Sequence, residues 1–469
     1  MSAVSHHQQE NKKVSLFHIL TEHAGKYITH MSQHSPARLT LIVFALIICF
    51  FTALLMMPIM HAGTNKISLT DAFFTATSAI CVTGLTTVNT ATNWSFFGHI
   101  VIMFAMMIGG LGIMTLASFL GTRISRHTKL SQRLILAQET KSTLGEVGLL
   151  IKTVLLVSLI GQFIIFLLLL PFFHNKGDAL ISAVWHALFT SVSIFNNAGF
   201  TILPEGFTPY IDSFAFSIPL ILGTFIGALG FPVILDVARN KIRRRKWNLT
   251  THLTLIFYPA LFILGAVVLL GFEWTNPLTL GASSIIEKLN ATFVLSADAR
   301  SSGISTIDIS NLHQSSLLFL DALMFIGGGS ASTAGGIKVT TFAVIIIALI
   351  AEARGNNDSE FLGKRLPTST LRLAISVVIL GAVTIGIGTL ALLHITGLEL
   401  STILFEVISA FSTCGLSTGI TATLPLSGKW VLIMLMFIGR TGTITLAAAL
   451  ALRTRKRAIR FPEERPIIG

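Results

Sequence analysis

Four glycines carry the chemistry open to this chain. Gly84, Gly199, Gly303 and Gly415 close the tripeptides Val82-Thr83-Gly84, Asn197-Ala198-Gly199, Ser301-Ser302-Gly303 and Thr413-Cys414-Gly415. They recur at intervals of 115, 104 and 112 residues. Glycine reaches left-handed backbone conformations at no steric cost, so a segment ending in one can bend until successive carbonyls point the same way. Such carbonyls replace the water shell of a cation. A carboxylate is not needed, because short helices ending at the same spot add partial negative charge. Nothing in this pattern calls for an organic cofactor.

Each lone glycine is followed, 24 to 28 residues on, by a second motif inside an apolar run. The motifs are Ile108-Gly109-Gly110-Leu111-Gly112, Ile226-Gly227-Ala228-Leu229-Gly230, Ile326-Gly327-Gly328-Gly329-Ser330 and Ile438-Gly439-Arg440-Thr441-Gly442. A unit repeated four times is stacked in a row or set around an axis. In a membrane, four units around an axis make a pore. The order within a unit is span, half-span, lone glycine, second span. The half-spans Asp71–Val82, Ala183–Asn197, Ile286–Arg300 and Thr402–Thr413 are too short to cross about 30 Å of hydrocarbon and suit re-entrant helices. Irregular backbone survives at that depth only where protein buries it or water lines it. A single glycine in a membrane helix marks close packing; four in register at the ends of short segments go beyond that reading.

Composition sets the class. The 469 residues are 52% hydrophobic and 12% charged, with mean hydropathy +0.77, which excludes an ordinary soluble domain. Runs of about 20 apolar residues begin near Leu39, Phe96, Val147, Phe214, Leu253, Ser316, Thr370 and Trp430. The expected fold is all-α and integral to the membrane: eight transmembrane helices and four re-entrant helices around a pseudo-fourfold axis. The expected divisions are an N-terminal segment over 1–36, repeats over 37–121, 147–240, 252–352 and 368–453, and a tail over 454–469. No cleavable signal is apparent.

Lys and Arg number 33 against 21 Asp and Glu. The cations cluster at Arg123, Arg126, Lys129 and Arg133, from Arg239 to Lys246, at Arg354, Lys364 and Arg365, and from Arg453 to Arg460. Every cluster follows the second span of a unit, so the positive-inside rule places them, the tail and the N-terminus with Lys12, Lys13 and Lys26 in the cytoplasm. The other connections hold isolated cations: Lys66, Lys176, Lys288 and Lys429. No basic run is long enough or folded enough for a nucleic-acid arm. Cys49, Cys81 and Cys414 have no metal or disulfide spacing and are expected to be buried thiols. Protease and hydrolase motifs are absent.

Two features depart from the plain unit. The second span of the third repeat, from Ser316 to about Ile350, is too long for one crossing. It is interrupted from Gly327 to Lys338, where Gly327, Gly328, Gly329, Ser330, Gly335 and Gly336 should unwind the helix at about 1 kcal/mol per glycine. A polar loop there, below the lone glycines, is a candidate gate; the alternative is a kink packed on small residues. Gly336-Ile337-Lys338 does not make a nucleotide-binding P-loop. Arg440 replaces the small residue of the other three motifs at mid-span, where an arginine costs roughly 2.5 to 3.5 kcal/mol. It is expected to face the cavity beside the loop, or to pair with Asp321 or with loop carbonyls. Glu406 and Asp71 are expected to anchor short helices rather than bind the ion.

The segments Ser78–Leu85, Ser193–Phe200, Phe405–Leu416, Gly328–Lys338 and Phe437–Arg440 resemble the Trk/Ktr/HKT superfamily of potassium transporters, above all the bacterial Ktr-type membrane subunit. The resemblance runs from Ala37 to Gly469. It implies four M1-P-M2 units, potassium uptake across the plasma membrane, a homodimer with one pore per subunit, and a cytoplasmic nucleotide-binding RCK ring as regulator. It also implies that Gly84→Ser would admit more sodium. The third loop departs from the pattern: Ser302 and Ile304 flank Gly303 where the family has Ala and Phe. A sodium- or proton-coupled symporter is the rival within transport; it needs a relay of intramembrane acids, which the sequence does not supply.

Overall fold

The computed structural model describes residues 36–63, 67–112, 147–241, 243–356 and 358–452. The N-terminal segment, the Arg123–Arg133 cluster and the C-terminal tail lie outside the described residues. The chain is mostly helical. Apart from a single turn at Thr90–Asn93, the α-helices among the described residues are α1 (Pro36–Leu55), α2 (Leu69–Cys81), α3 (Phe96–Gly110), α4 (Val147–Asn175), α5 (Leu180–Asn196), α6 (Phe214–Leu229) and α7 (Phe231–Asn240). They continue with α8 (Leu249–Glu273), α9 (Ile285–Asp298), α10 (Gln314–Phe325), α11 (Val339–Ala353), α12 (Thr368–Thr396), α13 (Leu400–Phe411) and α14 (Leu426–Leu452).

The short helices α2, α5, α9 and α13 match the expected half-spans to within three residues at either end. Local signals start two of them. Ser68 caps α2 by accepting from Asp71 N, and a reciprocal Ser284–Glu287 capping box opens α9. The C-terminal halves of all four are buried, whereas α4 and α12 turn Leu156, Phe163, Ile379 and Ile387 outward. Short helices inside and apolar long helices outside is the arrangement a hydrocarbon solvent selects.

Packing follows a cycle. The helix after each lone glycine packs on the short helix of the next unit: α3 on α5, α6 on α9, α10 on α13, and α14 back on α2.

Among the described residues, Lys152–Asn175 within α4, α8 and α12 are individually long and apolar enough to cross a membrane. A fourth candidate, α6 with α7, bends by 90°. The sequence reading carried a second span through this point, and Gly230 breaks it. Its φ of 94° with ψ of 132° lies in a region that glycine enters readily and side-chain-bearing residues do not, and a Cβ there would overlap Ser330 O. The expected spans beginning near Phe96 and Ser316 open with shorter helices, α3 of 15 residues and α10 of 12.

Two details differ from expectation. Cys49 lies exposed on α1, since the face it occupies is turned outward with Phe50. A small antiparallel hairpin, β1 (Glu360–Phe361) with β2 (Lys364–Arg365), interrupts the all-α pattern. Its turn residues Leu362 and Gly363 both have positive φ, 49° and 72°, the signature of a two-residue hairpin turn.

Candidate functional site

Each short helix gives way to a bent tripeptide. The first residue of each is left-handed: Val82 at φ 58°, Asn197 at 57°, Ser301 at 88° and Thr413 at 47°. The glycine two places on is left-handed again, with Gly84 at 94°, Gly199 at 70°, Gly303 at 67° and Gly415 at 94°. The bends are held by backbone bonds to the helix ends, Thr83 N to Ser78 O, Ala198 N to Ser193 O, Ser302 N to Asp298 O and Cys414 N to Ser409 O. Ser78 and Ser409 hydroxyls also accept from Gly84 N and Gly415 N, both at 3.1 Å. Thr83, Ala198, Ser302 and Cys414 are fully buried, while the four glycines keep partial exposure.

The four tripeptides close into a ring. A Cβ on Gly84 would lie 2.8 Å from Ala198 O, one on Gly199 3.0 Å from Ser302 O, and one on Gly303 2.6 Å from Cys414 O. The series returns to its start, because a Cβ on Gly415 would overlap Thr83 O. Every lone glycine thus abuts the carbonyl preceding the next lone glycine, in cyclic order. Only a residue without a side chain permits that spacing. Carbonyl-bearing backbone around a narrow, partly exposed centre can strip and hold a bare cation.

The second motifs have a separate task. A Cβ on Gly109, Gly227 or Gly439 would overlap Ile80 O, Phe195 O or Phe411 O respectively. These are the carbonyls four residues before Gly84, Gly199 and Gly415. The recurring spacing between lone and second glycine is therefore the length needed to bring a helix back against the end of its own short helix. The third unit breaks the rule: Gly327 meets Gly335 O instead, because no helix passes between α10 and α11.

That gap, Ile326 to Lys338, is a compact loop. Gly327 N donates to Ile337 O at 2.8 Å, Val339 N to Gly328 O at 2.9 Å, and Gly329 N to Ala228 O at 2.7 Å. Ser330 Oγ pairs with Thr340 Oγ1 at 2.9 Å. Lys338 Nζ donates to Ala334 O at 2.6 Å. Gly327–Gly329 and Ser332–Ile337 are buried, Gly336 (φ 65°) included. The loop tip touches three of the four tripeptides. Asn197 Nδ2 donates to Thr333 Oγ1 at 2.7 Å, Gly335 N donates to Ser301 Oγ at 3.1 Å, and a Cβ on Gly335 would overlap Thr413 Oγ1.

Arg440 is 5% exposed and reaches this loop. Nη1 donates to Thr333 O, and Nη2 donates to Gly109 O at 2.8 Å. One loop carbonyl and one carbonyl of α3 thus accept from its guanidinium, while Asp321 Oδ1 has no hydrogen-bond partner.

The two acids are anchors. Glu406 is fully buried and accepts from Ser417 Oγ at 2.7 Å and from Thr421 Oγ1, fixing the segment beyond Gly415. Asp71 accepts from Lys429 Nζ at 2.8 Å, joining the first short helix to the start of α14. Both side chains are at most 16% exposed. Lys429→Met should therefore lower stability by about 1–3 kcal/mol, with the Asp71→Asn/Lys429→Met double variant recovering part of the loss; thermal unfolding in detergent measures both.

Three further side chains have partners that the sequence did not give. Lys288, read as an isolated cation, is buried and donates to Trp274 O at 2.9 Å. Arg300 is fully buried, donates to Tyr258 O at 3.3 Å and lies 4.6 Å from the centre of that ring. Ser302, the departure in the third loop, accepts from Thr224 Oγ1 at 3.1 Å.

A family model described as TrkH, cation transport protein, matches residues 7–457. The chain is 35% identical over 449 residues to the Ktr system potassium uptake protein D of Bacillus subtilis (strain 168), covering 95% of this chain and 99% of that one. It is 34% identical over 442 residues to the Ktr system potassium uptake protein B of the same organism, covering 93% and 97%. The crystal structure of the potassium transporter TrkH from Vibrio parahaemolyticus matches the fold with a TM-score of 0.69 at 18% identity, over 90% of this chain and 85% of that one. Fold and relatives together define a membrane cation-transport protein. The chain belongs to the TrkH/Ktr family.

Proposed function

We propose that the chain takes up potassium through a channel-like pore in the plasma (inner) membrane. The reading that carries this is the cyclic contact of the four glycines, together with the potassium uptake named for the Ktr relatives. Four M1-P-M2 units over the expected repeats surround the pore. Val82, Thr83, Gly84, Asn197, Ala198, Gly199, Ser301, Ser302, Gly303, Thr413, Cys414 and Gly415 supply the filter carbonyls. Potassium is the substrate, and no organic cofactor takes part. The loop from Gly327 to Lys338 and Arg440 form the gate.

By resemblance to Ktr systems, the protein is a homodimer in the lipid bilayer under a cytoplasmic nucleotide-binding RCK ring, with both termini cytoplasmic. In that orientation Arg244, in the exposed basic turn after α7, faces the cytoplasm. Arg244→Cys should stay unlabelled by an impermeant thiol reagent in intact cells and react in inverted vesicles. Labelling from outside would reverse the topology.

Flux into proteoliposomes with imposed potassium, sodium and proton gradients tests the function. Potassium and rubidium uptake should exceed sodium uptake, down either ion's own gradient. Equal sodium uptake in competition would refute the filter. A coupled symporter is favoured by one observation: the Asp298 carboxyl is fully buried beside the third tripeptide. Potassium accumulation against its gradient, driven by sodium or protons alone, would establish coupling.

A further inference from the structure

The inner layer of the ring is not fourfold. Its four positions carry Val82, Asn197, Ser301 and Thr413. Val82 has no polar side-chain atom, the Asn197 amide is turned to Thr333, and Thr413 Oγ1 has no partner. Ser301 differs. It is 2% exposed, and its hydroxyl donates to Thr413 O, across the junction between third and fourth tripeptides, at 2.7 Å. The same oxygen accepts from Gly335 N of the loop at 3.1 Å.

We propose that Ser301 is a positioning residue for ion discrimination: it holds the Thr413 carbonyl, and Gly335 of the inner loop holds it. This rests on the filter reading above and adds a link between filter and gate. A hydroxyl has one proton to give. With Gly335 N on its lone pair and Thr413 O on its proton, its direction is fixed at both ends, and the two bonds polarise one another. A carbonyl released from the hydroxyl regains its full negative field and its freedom to swing. Both changes favour sodium, the smaller ion with the higher charge density, over potassium. Withdrawal of the loop removes the Gly335 donor and loosens the same carbonyl, so the open gate discriminates less sharply than the closed one.

The test is the sodium-to-rubidium uptake ratio of reconstituted protein, with folding checked by thermal unfolding. Ser301→Ala should raise the ratio about five- to tenfold, the effect of one lost hydrogen bond to a carbonyl. Ser301→Thr, which keeps the hydroxyl, should restore it. Deleting residues 330–336 should shift the ratio in the same direction with Ser301 intact, and Ser301→Ala should add nothing on that background. Folded Ser301→Ala with an unaltered ratio overturns the inference. If that variant does not fold, an unaltered ratio in the deletion overturns it instead. Gly303→Ser separates the two levels: no shift there sinks the filter reading itself, while a shift there without one at Ser301 sinks only the role of Ser301.

Discussion

Arg440→Ala is expected to raise potassium flux per folded protein roughly tenfold, without any regulatory partner. A fixed guanidinium repels a passing cation by about 4 kcal/mol at 4 Å when the effective dielectric is near 20. The measured gain should be smaller, because the same side chain also ties the loop down. Arg440 bridges Thr333 O of the loop and Gly109 O of α3, so removing it withdraws the charge and frees the loop together. Deleting residues 330–336 should raise flux as well, and the two changes should be less than additive, since both act on one barrier. Loss of the guanidinium takes a donor from the buried Thr333 carbonyl, at a cost of about 1–3 kcal/mol, while Gly109 O keeps its bond from Gly112 N. A purely structural arginine therefore predicts lower yield and stability with flux per folded protein unchanged. Tracer flux normalised to the folded fraction decides between them.

Gly84→Ser should raise sodium uptake relative to rubidium roughly tenfold, about 1.4 kcal/mol of lost discrimination. The added Cβ would stand 2.8 Å from Ala198 O and 2.9 Å from Gly199 Cα, and serine resists the φ of +94°. The second tripeptide must move away, so one substitution widens two quarters of the ring. Gly415→Ser should be more severe, because its Cβ would overlap Thr83 O outright. Gly271→Ala is the control: nothing lies within 4 Å of its Cβ, and its uptake ratio should not change. Competition assays with the three variants rank the effects.

The positions of the tripeptides were legible because glycine is the one residue whose type betrays its backbone. Four lone glycines at recurring intervals located the short helices to within three residues. The glycine-rich stretch after Ile326 was legible for the same reason. The 90° bend at Gly230 was not: the atom that a Cβ there would overlap is Ser330 O, a neighbour about a hundred residues away in sequence. Lys429 and Lys288 looked like scattered loop cations because their partners, Asp71 and the Trp274 carbonyl, are set by tertiary packing. The Arg440 position was legible from its cost in the membrane, but the choice of carbonyls over Asp321 depended on how closely α14 approaches the loop. Ser301 was legible as a ring member and not as the hydroxyl that makes the ring uneven.

The contacts that complete the cycle have an order in time. Lys429 meets Asp71 across 358 residues, and Arg440 meets Gly109 across 331. Both join the last unit to the first. While the ribosome is still extending the chain, three tripeptides can be inserted and packed in sequence, but the Thr83 carbonyl has nothing opposite it until Gly415 has been made. A nascent chain halted before the fourth unit presents an open arc, bare along the faces of α1 and α2 that α14 covers. Chain order therefore completes the ring only when Gly415 is made, and the helix that carries Arg440 follows it.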